Sequence, residues 1–157
     1  RQLAAVFPDA QIHAWDPDDA RRADLTAAAS AFAGVRVLDA TPAPGGIYDL
    51  VVLDVPCSNT GVLARRPGAR YRATDASRDG LVDLQRSLLA QGLGLAAPGG
   101  RVLYCTCSID PEENQQQARW LVEHAGGGAV VEREATLLPR AAPDYHDGSY
   151  HAVVRLG

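Results

Sequence analysis

A chain of 157 residues that is 46% hydrophobic has room for one domain with a buried core, which sets aside disorder and a multidomain array. Fifteen basic residues, all Arg, against nineteen acidic ones give a net charge of -4, which excludes a uniformly basic nucleic-acid coat but leaves a local basic strip open. No apolar run approaches the roughly 18 residues of a membrane span, and no charged, then apolar, then small-residue leader opens the chain.

Elements alternate along the chain. Arg1 to Val6 reads as the tail of a helix stopped by Phe7-Pro8, and Gln11 to Trp15 as a short strand that ends at Asp16. Asp18 to Ala33 is Ala-rich and opens on an acid, a helix that closes before Gly34. Val35 to Leu38 is a second strand, ending at Asp39; after a Pro/Gly turn, Tyr48 to Leu53 is a third, so continuously apolar that burial on both faces is expected. It ends at Asp54. Val55 to Thr74 is a long loop. Ala76 to Ala97 is a long helix closed by Pro98-Gly99-Gly100, and Arg101 to Thr106 is the fourth strand. Glu112 to His124 is a helix with Pro111 at its first turn, and Val130 to Glu134 and Tyr150 to Leu156 close the chain as an antiparallel pair at one edge. Strands alternating with helices imply an α/β, doubly wound, mostly parallel sheet in a single domain over residues 1–157. Ligands bind such sheets beyond the carboxyl ends of the strands, where Asp16, Asp39, Asp54 and the turn of Cys107 all fall.

Three cysteines, Cys57, Cys105 and Cys107, form no disulfide framework, so a reducing, cytoplasmic setting is expected. Cys105-Thr106-Cys107 has C-x-C spacing, but no second pair or His cluster completes a zinc site, and no metal is expected. His13, His124, His146 and His151 read as surface or edge residues, Trp15 and Trp120 as core. Cys105, inside a strand, reads as core too. Cys57 and Cys107 each sit in a small polar turn just past a strand, where a thiol reaches a substrate and loop amides can lower its pKa. The loop from Arg65 to Arg72 packs Arg65, Arg66, Arg70 and Arg72 around Tyr71, a strip suited to phosphates with a ring that can stack on a base.

Asp54-Val55-Pro56-Cys57-Ser58-Asn59-Thr60-Gly61 is similar to the D-A-P-C-S-x-T-G motif of the Sun/Fmu-type RNA (cytosine-5)-methyltransferases, with Val for Ala. Thr106-Cys107-Ser108 and Pro111-Glu112-Glu113-Asn114 match that family's T-C-S and P-E-E-N. Asp147-Gly148-Ser149-Tyr150 resembles its D-G-F-F, with Ser replacing the first aromatic, and Arg65-Arg66-Pro67 and Leu84-Gln85 also fall where the family has similar residues. The likeness runs over essentially the whole chain.

The resemblance implies a Rossmann-like methyltransferase fold, S-adenosylmethionine as cofactor and RNA as partner, with ribosomal RNA the default and transfer RNA open. It assigns Cys107 as the nucleophile that adds to carbon 6 of cytosine and Cys57 as the residue that assists release, the two sulfurs converging on opposite sides of one pyrimidine pocket. Asp54 is placed near cofactor and base, Asp16 at the ribose hydroxyls and Asp39 at the adenine amino group. Asp16 also reads as a helix cap. Pro56, Arg65, Arg66, Arg70 and Tyr71 make up the substrate-binding set.

The family's glycine-rich first motif and the strand that leads into it are missing before Arg1, and Met is absent, so a longer parent protein is expected. Strands on either side of the missing one should then have unpaired edges, and the stretch alone should bind cofactor poorly. A catalytically silent RNA-binding module is the rival reading, opposed by the presence of both thiols. An exocyclic-amine methyltransferase is opposed by the thiol in Asp54-Val55-Pro56-Cys57, where such enzymes carry an aromatic.

Overall fold

Strand–helix–strand crossovers build this chain twice over. The structure, a computed structural model, describes residues 2–71 and 74–157, so Arg72 of the Arg-rich loop lies outside the described residues. The chain divides into two compact units, Arg1–Ala43 and Pro44–Gly157.

In the first unit, α1 (Gln2–Val6) ends at Phe7-Pro8, and β1 (Ile12–Ala14) pairs in parallel with β2 (Val35–Val37). Between them runs α2 (Asp19–Ala29). Its cap is Asp18, whose carboxylate accepts from the Arg21 N–H at 2.9 Å, and not Asp16 as expected. The helix stops four residues early because Ser30 Oγ bonds back to the Ala27 carbonyl at 2.8 Å and the tail becomes a turn. Gly34 has no alternative there: a Cβ would sit 2.7 Å from the Ala10 carbonyl oxygen.

The second unit is a four-stranded sheet, ordered β3 (Tyr48–Asp54), β4 (Ala96–Thr106), β6 (Ser149–Arg155), β5 (Val130–Leu137). β3 and β4 are parallel, joined through α3 (Asp75–Leu95), while β6 is antiparallel to both neighbours. The closing antiparallel pair is thus as expected, with β5 at the edge. β1 and β3 each pair on one side only among the described residues.

Side chains alternate across the sheet. Val51, Val102, Tyr104, Ala152 and Val154 point to one face and pack against Leu89 of α3 and Leu121 of α4 (Gln115–Ala125), all buried. Gly92 lets α3 lie close to β3, since a Cβ there would meet Leu53 Cδ1 at 2.8 Å. On the other face Leu50 and Val52 are 36% and 39% exposed, so the expectation that β3 is buried on both faces is corrected: α3 and α4 both cover the same side.

The boundaries of α3 and α4 also differ from expectation. α3 begins one residue earlier, on a capping box in which Thr74 Oγ1 accepts from the Ser77 N–H and Ser77 Oγ accepts from the Thr74 N–H. It ends at Leu95, because Ala96 already pairs with Tyr48; the Pro98-Gly99 segment becomes an irregularity inside β4, with Gly99 at φ +72°. α4 starts at Gln115, three residues late, because Glu113 and Asn114 spend their side chains inward and hold residues 111–114 as turns.

Candidate active site

Two loops leave the carboxyl ends of neighbouring parallel strands. Past Asp54, the Val55 N–H still bonds the Cys105 carbonyl at 3.2 Å, but Pro56 has no N–H to continue the ladder and the chain lifts off the sheet. Asn59 then turns it back, at φ +64°, with Nδ2 donating to the Cys57 carbonyl at 2.8 Å. Past β4, Thr106 Oγ1 accepts from the Ser108 N–H at 3.2 Å, a tight turn that puts Cys107 at its apex.

The loops are knitted backbone to backbone. The Gly61 N–H donates to the Cys107 carbonyl at 3.0 Å, and the Gly148 N–H donates to the Gly61 carbonyl at 2.7 Å. A Cβ on Gly61 would lie 2.6 Å from the Gly148 carbonyl oxygen and 2.7 Å from that of Cys107, so three sequence segments meet at a point where only glycine fits.

Cys57 Sγ and Cys107 Sγ lie 3.2 Å apart. The sulfurs converge as expected, yet they are in contact and no ring fits between them. The expected separation by a pyrimidine, one sulfur on each side, is therefore not what the structure shows: the two sulfurs touch. Cys107 is half-buried and Cys57 buried. The Cys57 hydrogen bond holds the Cys107 thiol down to about 7, against burial and the Asp54 charge; its own N–H and Arg66 also favour the thiolate. The same bond, and then burial, push Cys57 far above the ordinary thiol range. The pair behaves as two sulfurs with one readily lost proton. In its thiol form Cys107 donates to Asn59 Oδ1 at 3.2 Å. Cys105 sits on the sheet face away from the helices, half-buried rather than core, and burial followed by Asp54 pushes it up to about 11.

A buried polar frame stands behind the sulfurs. Glu113 Oε1 accepts from the Ser58 N–H at 2.9 Å and from Gln85 Nε2 at 3.0 Å, and Glu113 Oε2 accepts from the Ser58 hydroxyl. Asn114 Oδ1 accepts from the Thr106 hydroxyl at 2.6 Å while its Nδ2 donates to the Ser108 carbonyl at 3.0 Å. Glu113 and Asn114 were legible only as motif letters, and Gln85, inside α3, likewise.

The remaining candidates separate. Asp54, the last residue of β3, and Pro56, in the loop that follows, are exposed and precede Cys57. Arg65 pairs with Asp147, which holds the Asp147 carboxyl below the usual range; Tyr145 also donates to that carboxylate, at 2.9 Å. Arg66 and Arg70 are exposed, and Tyr71 is 84% exposed. In the first unit, Asp16 and Asp39 follow the carboxyl ends of β1 and β2. The Asp16 carboxylate accepts from the Asp18 N–H at 2.8 Å and from Arg21 Nε at 3.0 Å, contacts that lower its pKa. Trp15 and Trp120 are half-buried rather than core, and His124 stacks on Trp120 with ring centroids 3.8 Å apart. Among the described residues no group of three or more His, Cys, Asp or Glu could hold a metal ion, and no helix is long and apolar enough to cross a membrane.

This arrangement of crossovers and strand ends is a Rossmann-like methyltransferase fold. The crystal structure of PH0851 matches it with a TM-score of 0.73 at 27% identity, over 92% of this chain and 36% of that one. NSun6 from Pyrococcus horikoshii, solved with SFG, shares the fold at a TM-score of 0.69 and 18% identity, over 92% of this chain and 41% of that one. Within that class, the family description 16S rRNA methyltransferase RsmB/F matches residues 2–137, and the chain belongs to this family. Ribosomal RNA small subunit methyltransferase B of Vibrio cholerae is 35% identical over 117 residues, 70% of this chain and 26% of that protein. The chain spans 19% to 26% of the length of the first curated relatives it matches.

Proposed function

We propose that this chain carries the reacting part of an enzyme that transfers a methyl group from S-adenosylmethionine to carbon 5 of a cytosine in RNA, with ribosomal RNA as substrate, and that its two units belong to one catalytic domain. The observation that carries this reading is the 3.2 Å contact between two thiols at the ends of adjacent parallel strands, one of them near 7. A lone activated thiol would suit many reactions. Two in contact suit one in which a sulfur must first add and then be expelled.

Carbon 5 of cytosine is a poor nucleophile. The Cys107 thiolate donates its electron pair to carbon 6, and the displaced ring electrons make carbon 5 an enamine terminus. S-adenosylmethionine supplies the methyl group as an electrophile on a sulfonium. While Cys107 is a thiolate, its hydrogen bond keeps the proton on Cys57. Once that electron pair is committed to carbon 6, the bond is lost and Cys57 can surrender its proton to water. Cys57 then takes the proton from carbon 5, and the electrons of that C–H bond expel the Cys107 sulfur and restore the ring. Asp54, exposed beside the pair, can accept from the ring edge as charge shifts.

Carboxylates at strand ends are acceptors, which fits a cofactor bearing ribose hydroxyls and an adenine amino group, and structures of this fold hold SAH. Asp16 would hold the ribose, sharing its carboxylate with Arg21, and Asp39 the amino group. Arg66, Arg70 and Tyr71 would meet RNA phosphates and a base, with Pro56 lining the approach to Cys57.

The test uses the full-length protein, small-subunit ribosomal RNA lacking the modification and a labelled methyl donor. Cys107→Ala is expected to abolish transfer. Cys57→Ala is expected to slow turnover by ~10²- to 10⁴-fold and to accumulate a covalent RNA–protein complex. Label that appears on an exocyclic amine, or transfer that survives Cys107→Ala, refutes the reading.

A further inference from the structure

The mechanism leaves Gln85, Glu113 and Asn114 without a role, though all three are polar and fully buried. A buried carboxylate whose hydrogen-bond partners are all neutral is costly, and such groups persist where they hold something in place. Glu113 and Asn114 are adjacent in the chain and reach in different directions. Glu113 takes the Ser58 N–H at 2.9 Å, and its partner Gln85 donates to the Pro56 carbonyl at 2.9 Å. Between them they hold both peptide groups that flank Cys57. Asn114 accepts from the Thr106 hydroxyl and donates to the Ser108 carbonyl, in the two residues that flank Cys107. The Tyr104 hydroxyl donates to the Glu113 carbonyl at 2.7 Å and ties the turn to β4.

We infer that Glu113 and Asn114 are positioning residues that set the distance between the two sulfurs, Glu113 with Gln85 holding the Cys57 loop and Asn114 holding the Cys107 turn. Adjacent Cα atoms are a fixed ~3.8 Å apart across a trans peptide, and both side chains are buried and hydrogen-bonded at their ends, so the two grips share one anchor. This rests on the thiol chemistry proposed above and divides it by step. Loosening Glu113 frees Cys57 alone, so Cys107 still adds to carbon 6 but release fails. Loosening Asn114 displaces the nucleophile itself.

The experiment compares Glu113→Ala, Glu113→Gln and Asn114→Ala in the full-length protein. Three quantities are read: adduct formation on RNA carrying 5-fluorocytosine, release of the complex formed on ordinary RNA, and the pH midpoint for alkylation of Cys107 without RNA. Thermal unfolding is followed alongside. Glu113→Ala is expected to form the adduct, to release ordinary RNA about 100-fold more slowly, and to raise the Cys107 midpoint above about 7. Glu113→Gln keeps a carbonyl oxygen for Ser58 and Gln85 and restores both readouts. Asn114→Ala is expected to slow adduct formation itself by about 100-fold. If Glu113→Ala does not fold, Gln85→Ala must show the same split. Equal loss of formation and release, with an unmoved alkylation midpoint, overturns the inference. If the wild-type protein forms no adduct, the proposed function falls while the alkylation midpoints still decide whether the turn sets the sulfur contact.

Discussion

Cys107 is activated chiefly by another thiol. Most low thiol pKa values come from a helix N-terminus or a neighbouring cation. Here the first cause is the Cys57 hydrogen bond, with Arg66 contributing least. The sign is testable without RNA. Because the thiolate is the reactive form, alkylation of Cys107 should fall about tenfold per pH unit below about 7 and level off above it. In Cys57→Ala the donor is gone, and the midpoint should move up toward the ordinary thiol value of ~8.5. Peptide-resolved alkylation from pH 5 to 10 checks both; an unchanged midpoint in Cys57→Ala would contradict the shared-proton account. The two thiols were legible from the sequence because each follows an apolar strand inside a small polar turn. Their contact was not, since fifty positions separate them and only the parallel pairing of β3 with β4 brings the strand ends together. Asn59 escaped notice because its role depends on a left-handed backbone, which a single Asn between Ser58 and Thr60 does not announce.

At the scale of elements, the site is built from interruptions of the sheet. Pro56 ends one ladder, Thr106 folds the next strand into a turn, and Gly61 meets Gly148 where the segments cross. Gly61→Ala pushes a methyl against two carbonyl oxygens that have no freedom to move, so it should destabilise the protein by about 1–3 kcal/mol, read from urea unfolding. Wild-type stability in this variant would mean the segments are not held as described. The Arg-rich loop makes a separate prediction. Arg70→Ala should weaken RNA binding to a similar extent for all sequences and reduce the log–log salt slope by about 1, measured by anisotropy at several salt concentrations. Arg65→Ala should change the slope less, because its guanidinium is already engaged by Asp147. Periodicity located every strand and α-helix of the second unit, but it read Val55 to Thr74 as loop where 3-10 turns form at Thr60–Val62 and Pro67–Tyr71, and it missed where polar side chains or glycine override it. Glu113 and Asn114 turn inward and delay α4, and Pro98-Gly99 bends within β4 rather than ending α3 at a loop. The apolar run of β3 suggested two covered faces, yet α3 and α4 share one side; a run of Leu and Val reports hydrophobicity, not the number of layers over it.

For the whole molecule, membership of the RsmB/F family and the Rossmann-like fold set the frame within which the two cysteine loops acquire meaning. The order of the motifs made that frame legible in the sequence, whereas the division at Ala43 was not, because no composition shift marks it. In the proposed reaction Cys107 bonds covalently to a cytosine while Cys57 stands beside it to undo the bond. Fluorine at carbon 5 blocks the removal step and traps the adduct, so the decisive measurement is peptide mass spectrometry of full-length protein incubated with 5-fluorocytosine RNA and methyl donor. A methylated nucleotide is expected on the Cys107 peptide in wild-type protein and in Cys57→Ala, and none in Cys107→Ala. A nucleotide found on the Cys57 peptide, or on neither, would contradict it.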